Sequence, residues 1–261
     1  MAGEEPITML TAYDAPTAAL VEEAGVDVIL VGDSVGNAVL GFDSTLPVTL
    51  DQQLSHTAAV VRGTDEALVV ADMPFLSFGV DRAGSLEAAG RFLKEAGADA
   101  VKIESGPHTV ELTEDLVELG IPVMAHLGLT PQHVNQLGGY TRQGTDEAAA
   151  ERIHELAVAH EEAGAFALVL EHVPANLAAS VTESLSTPTI GIGAGPDCDG
   201  QVLVFHDAVG LSDWSPPFAE QFGDVRGEVT DAVEAYVEAV EGGSFPAEEH
   251  SHHEEDLEEL Y

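Results

Sequence analysis

The sequence predicts an α/β fold closed as a (β/α)8 barrel, and three observations point there. Short runs rich in valine, isoleucine and leucine recur down the chain, separated by acid-decorated stretches of helical periodicity. The runs are near-continuously apolar rather than alternating, as in strands buried on both faces, the situation of parallel strands. The length, 261 residues, matches the roughly 250 residues of such a barrel. An open, doubly wound sheet is the competing arrangement.

In chain order, strands are expected at 7–13, 26–32, 67–71, 98–103, 121–125, 166–170, 187–192 and 201–205. Helices are expected at 15–24, 50–62, 84–96, 110–119, 146–163 and 175–185, where apolar residues recur at helical spacing. Thr109 and Thr145 stand where an N-cap hydroxyl is wanted. Gly97, Gly120 and Gly164 stand where a helix end needs a left-handed residue. Strands alternating with helices give βαβ units of about 30 residues, and eight of them close most simply into a barrel. The expected organisation is one barrel domain over 1–247 and an acidic, low-complexity tail over 248–261.

Composition excludes several roles. With 47 acids against 8 bases the formal net charge is -39, which repels phosphate backbones and anionic membrane surfaces. No apolar run approaches the roughly 20 residues that span a bilayer. The first residues have neither the basic nor the apolar region of a secretory signal. A lone Cys198 forms no internal disulfide, so a cytoplasmic location is expected. Hydrophobic residues make up 45% of the chain, too many for a disordered polyanion. Self-repulsion on this scale is relieved where salt is molar, because the screening length falls to about 3 Å at 1 M. A salt-adapted protein is therefore expected, with its unfolding midpoint rising as KCl goes from millimolar to molar; equal stability at both would contradict this.

In α/β barrels chemistry gathers where strands end and βα loops begin. The first polar residues there are Asp33-Ser34, Asp72, Glu104 with Lys102 two residues before it, His126, Glu171-His172 and His206-Asp207. Each follows an apolar run, so burial is expected, and several unpaired buried carboxylates are too costly to tolerate without a cation. Oxygen-only ligands favour a hard ion such as Mg2+, which leaves positions for a chelating substrate. The structural alternative is a set of acids capping the following helices. Lys102 is one of only two lysines in the chain. Retained inside a strand, it calls for an anionic partner, either a substrate or a structural mate in Glu104 or Asp72.

Other motifs read as structural. Gly191-Ile-Gly-Ala-Gly195 is followed by Pro196 and lacks the last glycine of a dinucleotide fingerprint, so a tight turn is expected. Asp197-Cys-Asp199-Gly200 lacks the further ligands of a calcium loop. Cys198 has no neighbour to activate it, and His250, His252 and His253 fall in the tail.

The strand-end segments resemble ketopantoate hydroxymethyltransferase. They include Thr11-Ala-Tyr-Asp14, Leu30-Val-Gly-Asp-Ser34, Asp43-Ser-Thr-Leu-Pro-Val-Thr49, Ala71-Asp-Met-Pro-Phe75 and Val101-Lys-Ile-Glu104. His126-Leu-Gly-Leu-Thr-Pro-Gln132, Gly138-Gly-Tyr140, Leu170-Glu171 and Phe245-Pro246 through His250 continue the match in order. The resemblance covers about 7–250; the acidic stretch 254–261 lies beyond it.

That resemblance implies a barrel of the phosphoenolpyruvate/pyruvate type. It implies transfer of a hydroxymethyl group from 5,10-methylenetetrahydrofolate to 3-methyl-2-oxobutanoate, giving 2-dehydropantoate through a Mg2+-stabilised enolate. Carried over by motif, Asp33, Asp72 and Glu104 are the Mg2+ site, Glu104 through water. Asp33, Ser34, Asp72 and Lys102 contact the oxo acid, His126 lines the site, and Glu171 is the proton acceptor. A homo-oligomer, often a decamer, is also implied. Two rivals remain: a Mg2+-dependent lyase or mutase of the same superfamily, which generally offers a reactive cysteine, and an acidic cation-binding protein whose charge is itself the function.

Overall fold

The computed structural model describes residues 5–253. It falls into two compact units, Met1–Phe205 with Pro216–Ala219, and His206–Ser215 with Glu220–Tyr261. The sequence reading draws no boundary at residue 206.

The first unit holds eight parallel strands in sequence order, closed by pairing of the last with the first. They are β1 (Ile7–Thr11), β2 (Val28–Val31), β3 (Leu68–Asp72), β4 (Ala100–Glu104), β5 (Val123–Gly128), β6 (Ala167–Glu171), β7 (Thr189–Ile192) and β8 (Gly200–Leu203). This is the expected barrel. Its lower interior is one apolar cluster containing Met9, Leu30, Val70, Ala100, Met124, Val169 and Ile190. Side chains two apart on a strand share a face. The residues above that cluster, Asp72, Lys102, Glu104, His126 and Glu171, therefore point inward at the carboxyl ends of their strands. Odd-face residues such as Val101 and Ile103 pack outward against the helices, with Phe92, Leu112 and Leu116.

At β3 to β6 the strands are displaced along the chain from the sequence reading, starting one or two residues later and ending one to three residues later. Asp72, Glu104, His126 and Glu171 lie within their strands rather than just beyond them. The ladder continues through them: Asp72 pairs with Lys102 and Glu104 with His126. At the first of these junctions the Met73 N–H donates to the Lys102 carbonyl at 2.9 Å.

Helices in this unit are α1 (Ala15–Glu23), α2 (Val35–Ala38), α3 (Leu50–Val61), α4 (Arg82–Arg91), α5 (Val110–Glu118), α6 (Val134–Leu137), α7 (Glu147–Glu162) and α8 (Ala175–Ser184). The short α2 and α6 were not expected. α4 starts early because the Asp81 carboxylate accepts from the Gly84 N–H at 2.9 Å. It continues as a wider turn, Phe92–Ala96, ending on left-handed Gly97. Gly120 and Gly164 are left-handed as expected, with φ 83° and 92°. The cap of α7 is Asp146, accepting from Ala149 N–H at 2.9 Å, and not Thr145. Thr109 precedes α5, but its hydroxyl donates to the Gly106 carbonyl at 2.9 Å instead of capping. Residues 193–199 join β7 to β8 without a helix, so the alternation of strand and helix lapses there.

A buried histidine links α5 to α7. His160 on α7 is fully buried, with Nδ1 3.0 Å from the Thr113 hydroxyl. That hydroxyl donates to the Thr109 carbonyl, so the ring donates from Nδ1. Burial pushes the His160 imidazole down to about 4, against a weaker upward pull from the Gly106 backbone. Between that value and the unfolded value of about 6.5, only the unfolded chain binds the proton. Stability from this group is complete above pH 6.5 and lost as pH falls towards 4, by about 3 kcal/mol in all. Buried Glu104 titrates with the opposite sign, so the test is a difference: urea unfolding of the protein minus that of His160→Leu, at pH 7 and pH 4.5. A difference that does not shrink on acidification contradicts this account.

The second unit contains α9 (Phe205–Ala208, from its second residue on) and α10 (Val225–Glu241). Helix α10 was not among the expected elements; Asp224 caps it, accepting from Gly227 N–H at 3.0 Å. Arg226 pairs with Asp213. The expected tail opens with a 3-10 turn, Glu248–His250, and His253 lies 2.8 Å from Glu248. Residues 254–261, the remainder of that tail, lie outside the described residues. Among the described residues no helix is long and apolar enough to cross a membrane.

Candidate active site

The barrel's register gathers the strand-end residues. Asp33 is 5% exposed, Asp72 2%, Lys102 4%, Glu104 1% and His126 2%. Burial of this set was expected and is found. Lys102 Nζ lies 2.7 Å from Asp72 Oδ1, across the β3–β4 pairing. The Asp33 N–H donates to Asp72 Oδ2 at 3.2 Å. His126 Nε2 lies 3.1 Å from Glu171 Oε2, at ion-pair distance but outside hydrogen-bond alignment. Ser34 and the buried Tyr13 join hydroxyls at 2.8 Å.

Glu171 differs from the other acids. Its side chain is 18% exposed, because it ends β6 at the rim, so the expected full burial is not met. Its position is fixed from below. Gly128, left-handed with φ 98°, lets the chain pass so close that a Cβ there would stand 2.2 Å from the Glu171 carbonyl oxygen. The next residue, Leu129, donates its N–H to that same oxygen at 2.8 Å.

The charge balance in the pocket is uneven. Burial and the neighbouring charges of Asp72 and Glu104 push the Asp33 carboxyl well above its ordinary value, against weaker opposition from Lys102 and Gln132. Burial pushes Glu104 up to about 7, although His126, Lys102 and the Gln132 N–H pull it down. Burial also disfavours the Lys102 ammonium, but Asp72, Asp33 and Glu104 together outweigh it and hold the lysine above its ordinary value. One buried cation thus faces three buried carboxylates.

Among the described residues, no three or more His, Cys, Asp and Glu side chains are arranged to hold a metal ion by themselves. Asp33, Asp72 and Glu104 are neighbours, not a closed cage. Mg2+ commonly takes one or two protein carboxylates and completes its shell with water and substrate oxygens. A buried set whose candidate ligands are all carboxylates fits that habit, and an added cation offsets the burial, and the like-charge repulsion beside it, that raise Asp33 and Glu104.

Three residues at the site had no role in the sequence reading. Gln132 and His133 follow β5 in the turn Pro131–His133. The Gln132 N–H donates to both Glu104 oxygens, and His133 Nδ1 lies 3.5 Å from Glu104 Oε2. Tyr140, half exposed, has its phenol pushed up by burial and by Asp33, Glu171 and Glu104. Each lies in a loop, where no periodicity marks an inward residue. Motif position was the one available signal, since Gln132 and Tyr140 sit in recognised segments.

The remaining motifs behave as read. Residues 193–195 form a tight turn, with Gly193 and Gly195 left-handed at φ 61° and 86°. Cys198 is half-buried in the β7–β8 connection, and burial pushes its thiol up, the reverse of an activated nucleophile. That removes the cysteine a superfamily lyase would offer.

A sequence profile of the ketopantoate hydroxymethyltransferase family matches residues 1–248. The 3-methyl-2-oxobutanoate hydroxymethyltransferase of Haloarcula marismortui is 72% identical over 261 residues, spanning 100% of this chain and 97% of its own. The protein of that name from Natronomonas pharaonis is 70% identical over 260 residues, spanning 100% and 97%. Among solved structures, a phosphoenolpyruvate phosphomutase from Streptomyces platensis subsp. rosaceus superposes with a TM-score of 0.63 at 16% identity, covering 92% of this chain and 85% of that one. That last likeness is one of fold.

Proposed function

The chain belongs to the ketopantoate hydroxymethyltransferase family, and on that premise we propose that it transfers a hydroxymethyl group from 5,10-methylenetetrahydrofolate to 3-methyl-2-oxobutanoate, yielding 2-dehydropantoate for pantothenate synthesis. The observation that supports this most is the convergence of buried Asp33, Asp72, Lys102, Glu104 and His126 on one rim, with Glu171 facing them from β6.

Asp33 and Asp72 would hold Mg2+ directly and Glu104 through water. Bound there, Mg2+ supplies a Lewis acid that lowers the cost of negative charge growing on the keto oxygen of the oxo acid. Lys102, fixed by Asp72, offers the cationic partner for the substrate carboxylate in a pocket that otherwise repels anions. Ser34, oriented by the Tyr13 hydroxyl, adds a hydrogen bond to the oxo acid. Glu171 accepts the proton leaving C3. His126 lines the site beside its carboxylate. The carbon freed of its proton then bonds to the one-carbon unit of the folate while that unit's bonds to the folate nitrogens break. One water supplies the hydroxyl, and its other hydrogen and the C3 proton go to the nitrogens, so 2-dehydropantoate and tetrahydrofolate leave. Assembly as a homo-oligomer in the cytoplasm belongs to the same reading.

A turnover assay with 3-methyl-2-oxobutanoate, methylenetetrahydrofolate and Mg2+ in molar KCl tests the proposal. Formation of 2-dehydropantoate that requires both folate and metal is expected. Consumption of the oxo acid without folate would point to a lyase or mutase instead.

A further inference from the structure

Gln132 joins the carboxyl ends of three strands, β2, β3 and β4, through hydrogen bonds to Asp33, Met73 and Glu104. It is 5% exposed. Its main-chain N–H donates to Glu104 Oε1 and Oε2 at 3.1 and 3.0 Å. Its side-chain Nε2 donates to Asp33 Oδ2 at 3.0 Å and to the Met73 carbonyl at 2.9 Å. The two amide hydrogens are thus both committed, one to the end of β2 and one to the end of β3. Pro131 opens the turn that carries it and restricts the approach.

We propose that Gln132 is the positioning residue that spaces Asp33 from Glu104 and sets both carboxylates for the divalent cation; this rests on the proposed function. The chemistry of the group matters. Asp33 faces Asp72 and Glu104, and like charges at this range turn buried carboxylates away from each other unless a donor holds them. A lysine or arginine at 132 would hold Asp33 equally well but would cancel the negative charge a cation needs. A neutral amide holds it without that cost. Gln132 engages only Oδ2 of Asp33, so the carboxylate is oriented and not enclosed. The main-chain N–H to Glu104 survives any side-chain change, and this makes the side-chain contribution separable.

The test is Gln132→Met in the full chain, which keeps volume and length while removing both side-chain donors. Calorimetric titration with Mg2+ alone, in molar KCl and without substrate, should show affinity weakened about 10- to 100-fold, the usual effect of losing a group that orients a metal ligand. Turnover should recover as Mg2+ is raised to saturation, and the melting temperature in chelator should fall only by the few degrees that two lost buried hydrogen bonds cost. If the methionine variant does not fold, Gln132→Asn takes its place. Its amide stops about 1.5 Å short of Asp33, one carbon–carbon bond, and should weaken Mg2+ binding likewise. A folded variant binding Mg2+ within twofold of an active parent overturns the role of Gln132 and leaves the proposed function standing. An inactive parent overturns the proposed function itself.

Discussion

Replacing Glu171 by glutamine should lower the turnover number about 1,000-fold, in the middle of the range for losing a general base. Affinity for Mg2+ should meanwhile stay within a few-fold of the parent. The two halves of this expectation come from geometry. Glu171 ends β6, whereas Asp33, Asp72 and Glu104 come from the ends of β2, β3 and β4. Its near neighbour is His126, 3.1 Å away, not Lys102 or the other carboxylates. Glutamine fills the same space and can still lie beside His126, but it cannot take up a proton. Gly128 and Leu129 hold the Glu171 main chain and not its side chain, so the variant should keep its backbone in place. Steady-state kinetics paired with calorimetry reads both quantities. A variant losing Mg2+ affinity in step with turnover would make Glu171 a ligand and remove it as the base.

Lys102→Met should damage both stability and substrate affinity. The ammonium is buried, bonded to Asp72 Oδ1 at 2.7 Å, and is the one lysine facing Asp33, Asp72 and Glu104. Removing one member of a buried pair leaves the other uncompensated, at a cost of about 3–5 kcal/mol. Affinity for the oxo acid should fall by about 10- to 100-fold as well, the range for losing one charged hydrogen bond of about 1.5–3 kcal/mol. Adding Asp72→Asn isolates the stability effect, because Asp72 is also a proposed Mg2+ ligand and its loss lowers affinity in its own right. The double variant should recover much of the stability, since the orphaned charge is gone, but none of the affinity. Urea unfolding and the KM for the oxo acid distinguish these. If the double variant binds the oxo acid as the parent does, Lys102 is a structural ion pair and nothing more.

The barrel and its rim were legible because their signals are local. An apolar run followed by an acid, as in Val69-Val-Ala-Asp72, marks a parallel strand whose end reaches the site, and four such ends supplied the carboxylates. What the runs could not show was where the ladder stops. Asp72, Glu104 and His126 interrupt the apolar pattern yet keep their backbone pairing, because the interior turns polar before the sheet ends. Gln132 was illegible for a different reason. It reaches Asp33 across 99 positions of sequence, through a loop whose geometry is set by a turn and not by a period. Thr145 was preferred to Asp146 as the cap of α7 although either residue type serves, and sequence alone does not decide between neighbours. Five acids decorate α10, which hides a helical stripe of valines that the strand-by-strand reading passed over. The net charge, the loudest feature of the sequence, bears on surface and solvent. On the proposed function, the chemistry lies in the few charges that are buried.

The central claim is that this rim takes a proton from C3 of a 2-oxo acid. Deuterium incorporation at C3 of 3-methyl-2-oxobutanoate, followed by proton magnetic resonance in heavy water with the protein and Mg2+ but no folate, tests it most directly. Exchange that depends on Mg2+ and collapses in Glu171→Gln is the predicted result. Exchange at the same rate in Glu171→Gln as in the parent would contradict it.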